Sequence, residues 1–216
     1  MTPFPRFPAL TLLPEGAVYL MDSATLVVAD LHLGKSAAFR AKGLPVPEGD
    51  TARDLGRART LVEKHGAARL VVAGDLFHAP SGITPELEAA LDGFLDAIGI
   101  PVTLVLGNHD VKLRSIPARL ECVRELDLGN GLRIVHDPAD AVGGDFHLCG
   151  HYHPVVKIPD GKRTWLRFPC FFNRGNHLVM PAFGTFTGGA VVHPEAEDRV
   201  FLALRDQMIE LPKEFR

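Results

Sequence analysis

Seven side chains in this chain could hold metal, and each of them follows an apolar run. Leu26-Val27-Val28-Ala29 ends in Asp30-Leu31-His32, and Leu70-Val71-Val72-Ala73 ends in Gly74-Asp75-Leu76-Phe77-His78. Leu104-Val105-Leu106 ends in Gly107-Asn108-His109-Asp110. Arg133-Ile134-Val135 leads into His136, and Leu148-Cys149 leads into Gly150-His151-Tyr152-His153. Such runs read as buried strands delivering polar groups at their C-terminal tips. The candidate ligands are Asp30, His32, Asp75, Asn108, His136, His151 and His153. This oxygen and imidazole set without thiolates suits manganese or iron, with zinc also able to bind.

Charge decides how such a set could work. Two divalent ions about 3.5–4 Å apart need a bridging ligand. They bring four positive charges; Asp30 and Asp75 remove two, while Asn108 and neutral imidazoles remove none. A bridging hydroxide would leave one, which suits an anionic phosphodiester. The same ions would lower the pKa of bound water and so make that hydroxide near neutral pH. Each motif alone is weak: Asp-x-His is an ordinary strand-end turn, and a single histidine after a strand is more often structural. The information lies in five tips occurring in this order.

The elements that must carry the tips follow from periodicity. Ala17 to Met21 and Thr25 to Ala29 read as strands, and Ser36 to Arg40 as a short helix. Asp50 can cap a helix with Leu55, Ala58, Leu61 and Val62 inward, ending at Gly66. Strand 70–73 follows. Thr84 caps the next helix, with Pro85 at its first position, Leu87, Leu91, Phe94, Leu95 and Ile98 inward, and Gly99 after its end. Strand 102–106 completes a strand, helix, strand, helix, strand pattern, hence a parallel sheet with right-handed crossovers. After about residue 120 the pattern becomes short strands: Glu121 to Leu128, Leu132 to Val135, Phe146 to Cys149, Val155 to Ile158, Thr164 to Arg167, Leu178 to Met180 and Val200 to Leu204. Asn130-Gly131 and Asp160-Gly161 are hairpin turn signals. Residues 1–16, rich in proline, read as an extended strap. One domain spanning 1–216, with two facing sheets and outer helices, is expected.

Composition narrows the class. The 216 residues are 46% hydrophobic, enough for a sizeable core, and the net charge of −3 makes the whole chain no generic polyanion binder. Three scattered cysteines suit a reducing compartment better than a disulfide framework. Prolines occupy the N-terminal stretch where a signal peptide has its apolar core, and no run is long enough to span a bilayer. A soluble cytoplasmic protein with no membrane partner is expected.

The ordered tips resemble the calcineurin-like metallophosphoesterase superfamily, whose pattern is Asp-x-His, Gly-Asp, Gly-Asn-His-Asp/Glu, His and Gly-His-x-His. The resemblance covers Asp30 to His153. It implies a four-layer αββα sandwich of two facing mixed β-sheets. It further implies that Asp30, His32, Asp75 and His153 hold one ion, and that Asp75, Asn108, His136 and His151 hold the other. His109 would stabilise the transition state or protonate the leaving oxygen, and Asp110 would orient His109 by accepting a hydrogen bond.

A narrower resemblance extends over nearly the whole chain. Ala29 to Lys35, Gly43-Leu44-Pro45-Val46-Pro47, Gly74 to His78 and Pro181-Ala182-Phe183-Gly184-Thr185-Phe186-Thr187-Gly188-Gly189 are similar to the bacterial ligase-associated DNA damage response endonucleases. That group implies manganese-dependent phosphodiesterase or nuclease activity beside DNA-repair ligases and helicases; a homodimer is also compatible.

Other residues keep two readings. Lys35 and Arg40 could meet a phosphate or belong to a solvated loop. Lys157, Lys162, Arg163 and Arg167 form either a substrate-facing patch or an ordinary wet edge. Trp165, Phe168, Phe171 and Phe172 read as packing rather than base stacking, and Cys149 and Cys170 as small core residues. His65, His147, His177 and His193 have no place in the pattern, and His78 stands where many relatives carry Asp or Asn. The leading function is a dimetal phosphodiesterase acting on single-stranded DNA or RNA. The alternatives are a hydrolase of small or cyclic nucleotides and a scaffold without catalysis, which the complete ligand set disfavours. The Arg-Gly that follows Gly-Asp in protein phosphatases is replaced here by Leu76-Phe77-His78.

Overall fold

A computed structural model describes residues 2–161, 163–204 and 206–213. The first sheet is built from β1 (Thr2–Phe4), β2 (Phe7–Leu13), β3 (Ala17–Leu20), β4 (Thr25–Val28), β5 (Arg69–Ala73), β6 (Val102–Val105) and β7 (Glu121–Val123), in that spatial order. Between β4 and β5 lie α1 (Lys35–Ala41) and α2 (Asp50–His65); α3 (Pro85–Ile98) joins β5 to β6. Pairs from β1 to β4 are antiparallel and those from β4 to β7 parallel, so the sheet is mixed rather than purely parallel. The expected N-terminal strap is in fact β1 and β2. Pro3 is tolerated because β1 is an edge strand, and Pro8 precedes the stretch Leu10–Leu13 that pairs with β3.

The second sheet holds β8 (Leu126–Asp127), β9 (Leu132–Ile134), β10 (Phe146–Cys149), β11 (Pro154–Asp160), β12 (Thr164–Arg174), β13 (His177–Val179) and β14 (Ala190–Val191). β15 (Arg199–Leu204) pairs with β12, and β16 (Gln207–Glu210) pairs with β15. Both hairpin signals are borne out: β8 and β9 flank Asn130-Gly131, and β11 and β12 flank Asp160-Gly161. The stretch 121–128 is not one strand. Glu121–Val123 pairs with β6 in the first sheet and Leu126–Asp127 with β9 in the second, so the chain crosses between sheets at Arg124-Glu125.

Two apolar layers follow from strand alternation. Leu26, Val28, Leu70, Val72 and Leu104 face Leu55, Leu61, Leu87, Leu91 and Phe94 of α2 and α3. The alternate residues Val27, Ala29, Val71, Ala73 and Val105 meet Ile134, Phe146, Leu148, Phe171 and Leu178 of the second sheet. The architecture is therefore an α/β sandwich of two mixed sheets. The α-helices among the described residues all precede Gly99, and over Val135, Cys149 and Val179 packs Ala141, next to the short 3-10 turn Pro138–Asp140.

Helix ends show one confirmation and one correction. Thr84 caps α3 as expected, its hydroxyl accepting from Leu87 N at 3.3 Å. Asp50 does not cap α2; Gly49, with φ of 101°, holds that position. The Asp50 carboxylate instead takes Ser36 N at 3.3 Å and Ser36 Oγ at 2.5 Å, because the first turn of α1 has donors and no side-chain cap of its own. No described helix is long and apolar enough to cross a membrane.

Candidate metal centre

β4, β5 and β6 are parallel, so their C-terminal tips leave one edge of the first sheet; β9 and β10 do the same in the second. Past the strands the tips remain tied. Asp30 N donates to Gly74 O at 3.0 Å, His32 N to Asp75 O at 2.9 Å, and Gly150 N to His136 O at 3.0 Å. Among the described residues seven non-glycines have positive φ, and five of them are Asp30, His32, Asp75, His151 and His153. A left-handed residue turns the chain within one step, so side chains two apart can converge on one point. Each costs about 1–3 kcal/mol and persists only where the surroundings hold it.

The motif glycines are there for space. A Cβ on Gly107 would lie 2.2 Å from Asp75 Oδ1 and 2.4 Å from Asp75 N; one on Gly150 would lie 2.6 Å from Asp30 Oδ2. Only glycine lets these tips approach so closely.

All seven candidate ligands come together, in two groups. In the first, His153 Nε2 lies 3.2 Å from Asp30 Oδ1 and 3.3 Å from His32 Nε2. In the second, Asn108 Oδ1 lies 3.1 Å from His136 Nε2 and 3.0 Å from His151 Nδ1. Asp75 Oδ2 stands between them, 3.9 Å from His32 Nε2 and 3.5 Å from His136 Nε2.

Outer contacts fix which nitrogen each ring presents. A carbonyl only accepts, so His136 Nδ1–H donates to Ala73 O at 3.1 Å and His153 Nδ1–H to Gly188 O at 3.1 Å. Both then aim Nε2 inward, the atom a metal-binding imidazole would offer. His151 is reversed: its Nε2 faces Asp137 Oδ2 at 3.5 Å and its Nδ1 points in. Asp137 escaped the sequence reading, although it directly follows His136.

The residues fit a divalent metal centre on electrostatic grounds. Asp30 and Asp75 are buried, and among the described residues neither pairs with Lys or Arg, so a buried double negative charge calls for a cation. Clusters Asp30-His32-His153 and Asp30-Asp75-His136 each bring ligand atoms within 4.8 Å of one another. In the protein alone His136 answers that field. Burial pulls its pKa down, but Asp75, Asp30 and the Ala73 carbonyl raise it to about 9. Burial likewise pushes the Asp75 carboxyl up, yet His136 and His109 hold it below the usual carboxylate value. Burial drives His32 down to about 3 against the pull of Asp75, so it presents a neutral ring.

His109 lies beside the centre, but its ring is held differently from the expectation. Its Nδ1 donates to the His78 carbonyl, leaving Nε2 3.9 Å from Asp75 Oδ2. Asp110 does not orient the His109 ring. It is fully buried, and its carboxylate accepts the backbone N–H groups of Phe77 and Gly107 at 3.0 Å and of Leu76 at 3.4 Å. It thus ties the β5 tip to the β6 tip, and His109 N completes the junction on Asp75 Oδ1 at 2.9 Å. His78, unassigned by sequence, stacks on the His109 ring at 5.2 Å and meets His32 edge-on at 5.6 Å. Burial and Lys35 lower its pKa to about 4.

A buttress behind the site was also invisible in sequence. The buried Asp54 carboxylate accepts Thr185 N at 2.8 Å, and Arg57 donates to Phe183 O at 2.6 Å and Glu15 O at 3.0 Å. These bonds pin the Pro181–Gly189 segment, whose Phe183 N and Gly184 N reach the carbonyls of Ala29 and Asp30. Of the bystanders, Arg40 pairs with Glu48 at 3.0 Å, and Lys35 lies over the Phe39 and Phe186 rings. His147 is buried and packs on His177, and His65 packs on Tyr19.

Fold and site together define a class, and comparison agrees. The chain belongs to the calcineurin-like phosphoesterase family, whose model matches residues 24–162. Among solved structures it is similar to the Pseudomonas putida nuclease MPE, with 32% identity and a TM-score of 0.78 over 93% of this chain and 94% of that one. A phosphoesterase from E. coli, Yfce, matches at 17% identity and a TM-score of 0.45, over 87% of this chain and 97% of that one. No curated protein matches. The protein is a hydrolase of phosphoester bonds with residues that suit a divalent metal centre.

Proposed function

We propose that the chain is a two-metal phosphodiesterase that cuts single-stranded nucleic acid, with manganese as its best metal and DNA repair as its setting. The observation that carries the reading is Asp75: one carboxylate oxygen stands between two complete ligand groups, with His109 Nε2 beside it. Asp30, His32, Asp75 and His153 would hold one ion, and Asp75, Asn108, His136 and His151 the other. When bound, the ions would neutralise the phosphate and acidify the attacking water.

The chain's own residues do the rest. With Nδ1 committed to the His78 carbonyl, His109 takes up its second proton at Nε2, and that proton goes to the leaving oxygen. Asp110 holds the two tips in register. A dianionic monoester lacks an Arg-Gly clamp after Gly74-Asp75, whereas a singly charged diester matches the charge left at the site. The nuclease name of the Pseudomonas putida neighbour supports a polynucleotide substrate. By the narrower resemblance, a DNA-repair ligase and helicase are the natural partners, in the cytoplasm.

Purified protein in manganese should hydrolyse bis-nitrophenyl phosphate far better than nitrophenyl phosphate. It should also open a circular single strand while sparing linear duplex. Efficient turnover of a cyclic nucleotide with the circle left intact would replace this reading with a small-nucleotide hydrolase.

A further inference from the structure

The β11–β12 hairpin runs outward past the second sheet as an arm. Near its tip successive residues are exposed on both faces: Lys157, Pro159 and Asp160 on one strand, Thr164 to Arg167 on the other. Val155 pairs with Pro169, Lys157 with Arg167 and Pro159 with Trp165, so these six share one face. The opposite face, with Val156 and Cys170, and with Ile158 and Phe168 beside them, builds a small apolar core. Phe171 is buried and Phe172 packs beside Val135, as the sequence reading expects, but Trp165 does not pack. It is 60% exposed, on the cationic face.

That face continues into a groove. A cavity of about 840 Å³ is lined by Val155, Arg167 and Pro169 of the arm, by Arg53 and Arg57 of α2, and by His153. His153 is the ring whose Nε2 meets Asp30, so the groove starts at the proposed metal centre. Of its cations, Arg57 is paired with Asp54 at 3.3 Å, and the others are not neutralised by a carboxylate. The side chains of Arg53 and Lys157 make no hydrogen bond or ion pair with other described residues, and the Arg167 guanidinium donates only to the Gly189 carbonyl, which tethers the arm to the 181–189 segment. Among the described residues lining the groove the one carboxylate, Glu15, already takes the Lys64 ammonium at 2.8 Å. A row of cations beside an exposed indole, along a strand face about 13 Å long, matches a polynucleotide with unstacked bases.

We propose that this groove and arm face form the path of a single nucleic-acid strand leaving the metal centre, with phosphates on Arg53, Lys157 and Arg167 and a base stacked on Trp165. The inference rests on the phosphodiesterase reading above and names where its substrate lies. A duplex would not serve, because its bases are already stacked on one another.

Trp165 is the chain's one tryptophan, so intrinsic emission reports on this contact alone. Manganese-loaded His109→Ala protein should be titrated with oligothymidylate, oligouridylate and a duplex. Single strands should quench the emission and the duplex should not. With labelled strands, Trp165→Ala should weaken binding about 5- to 150-fold, the range for losing one stacked base, and Trp165→Phe should restore most of it. Lys157→Ala should reduce the log–log salt slope by about 0.7. Emission that stays unmoved while strands bind, or Trp165→Ala binding at wild-type affinity, overturns the path. Wild-type turnover of bis-nitrophenyl phosphate is scored separately: if it persists in either of those cases, the path alone is wrong and the phosphodiesterase stands. Its absence would count against the phosphodiesterase itself, while quenching by single strands would still support the path.

Discussion

One added methyl group at Gly107 should disable the centre without replacing any ligand. In Gly107→Ala the new Cβ would sit 2.2 Å from Asp75 Oδ1 and 2.4 Å from Asp75 N, where ordinary contact begins at 3.4 Å. The overlap is about 1.2 Å, and neither obstacle can swing aside. One is the backbone of the β5 tip; the other is a buried carboxylate that accepts the His109 N–H at 2.9 Å. Relief requires the β5 and β6 tips to part. Overpacking of this kind costs about 1–3 kcal/mol, and the strained carboxylate hydrogen bond about 1–3 kcal/mol more. Metal ligands tolerate only about 0.2 Å, so an Asp75 shift of this size should also cost at least one ion. The matched control is Gly56→Ala, in the exposed middle of α2 with nothing within 4 Å of its Cβ, which should gain about 0.5–1 kcal/mol. Urea unfolding and metal content after manganese loading read both variants. A Gly107→Ala protein with wild-type stability and two bound ions would refute the claim that this glycine exists for close approach.

Other substitutions separate roles within the site. Asp75→Asn should lose metal in elemental analysis, since the shared oxygen would no longer carry charge. His109→Ala should keep both ions and lower kcat about 10²–10⁴-fold on a nucleic-acid strand; an unchanged rate there would remove its role as the acid. Asp54→Ala should cost about 1–3 kcal/mol in urea unfolding, because the Thr185 N–H loses its acceptor and Arg57 loses its partner carboxylate; a loss under 0.5 kcal/mol would show that the 181–189 segment is held otherwise. Burial raises the Cys149 and Cys170 thiols to about 12, while Cys122 is exposed. A thiol reagent should therefore label one cysteine in the native protein and three after unfolding.

The sequence alone determined most of the chemistry here. Candidate ligands announce themselves because apolar runs of four or so residues end abruptly in Asp, Asn or His, and a strand that is buried along its length has only its tip for polar work. Helix faces such as Leu55, Ala58, Leu61 and Val62 were equally legible, since a 3.6-residue period is a local property. What local pattern cannot carry is the far partner of a side chain. Asp50 is a plausible cap for its own helix until Ser36 of α1 stands beside it, and Asp110 a plausible support for His109 until three backbone N–H groups surround it. The Asp54–Thr185 bond spans 131 residues, and nothing near either residue encodes it. From sequence Trp165 reads as packing, because aromatic residues in strands usually are packed. Only the pairing register, which sets Lys157 opposite Arg167 and Pro159 opposite Trp165 on an arm extending past the sheet, leaves it in water. Residue type and spacing decided what the tips could bind. The tertiary fold decided which nitrogen of each imidazole faces inward, because that depends on which distant carbonyl or carboxylate occupies the other one.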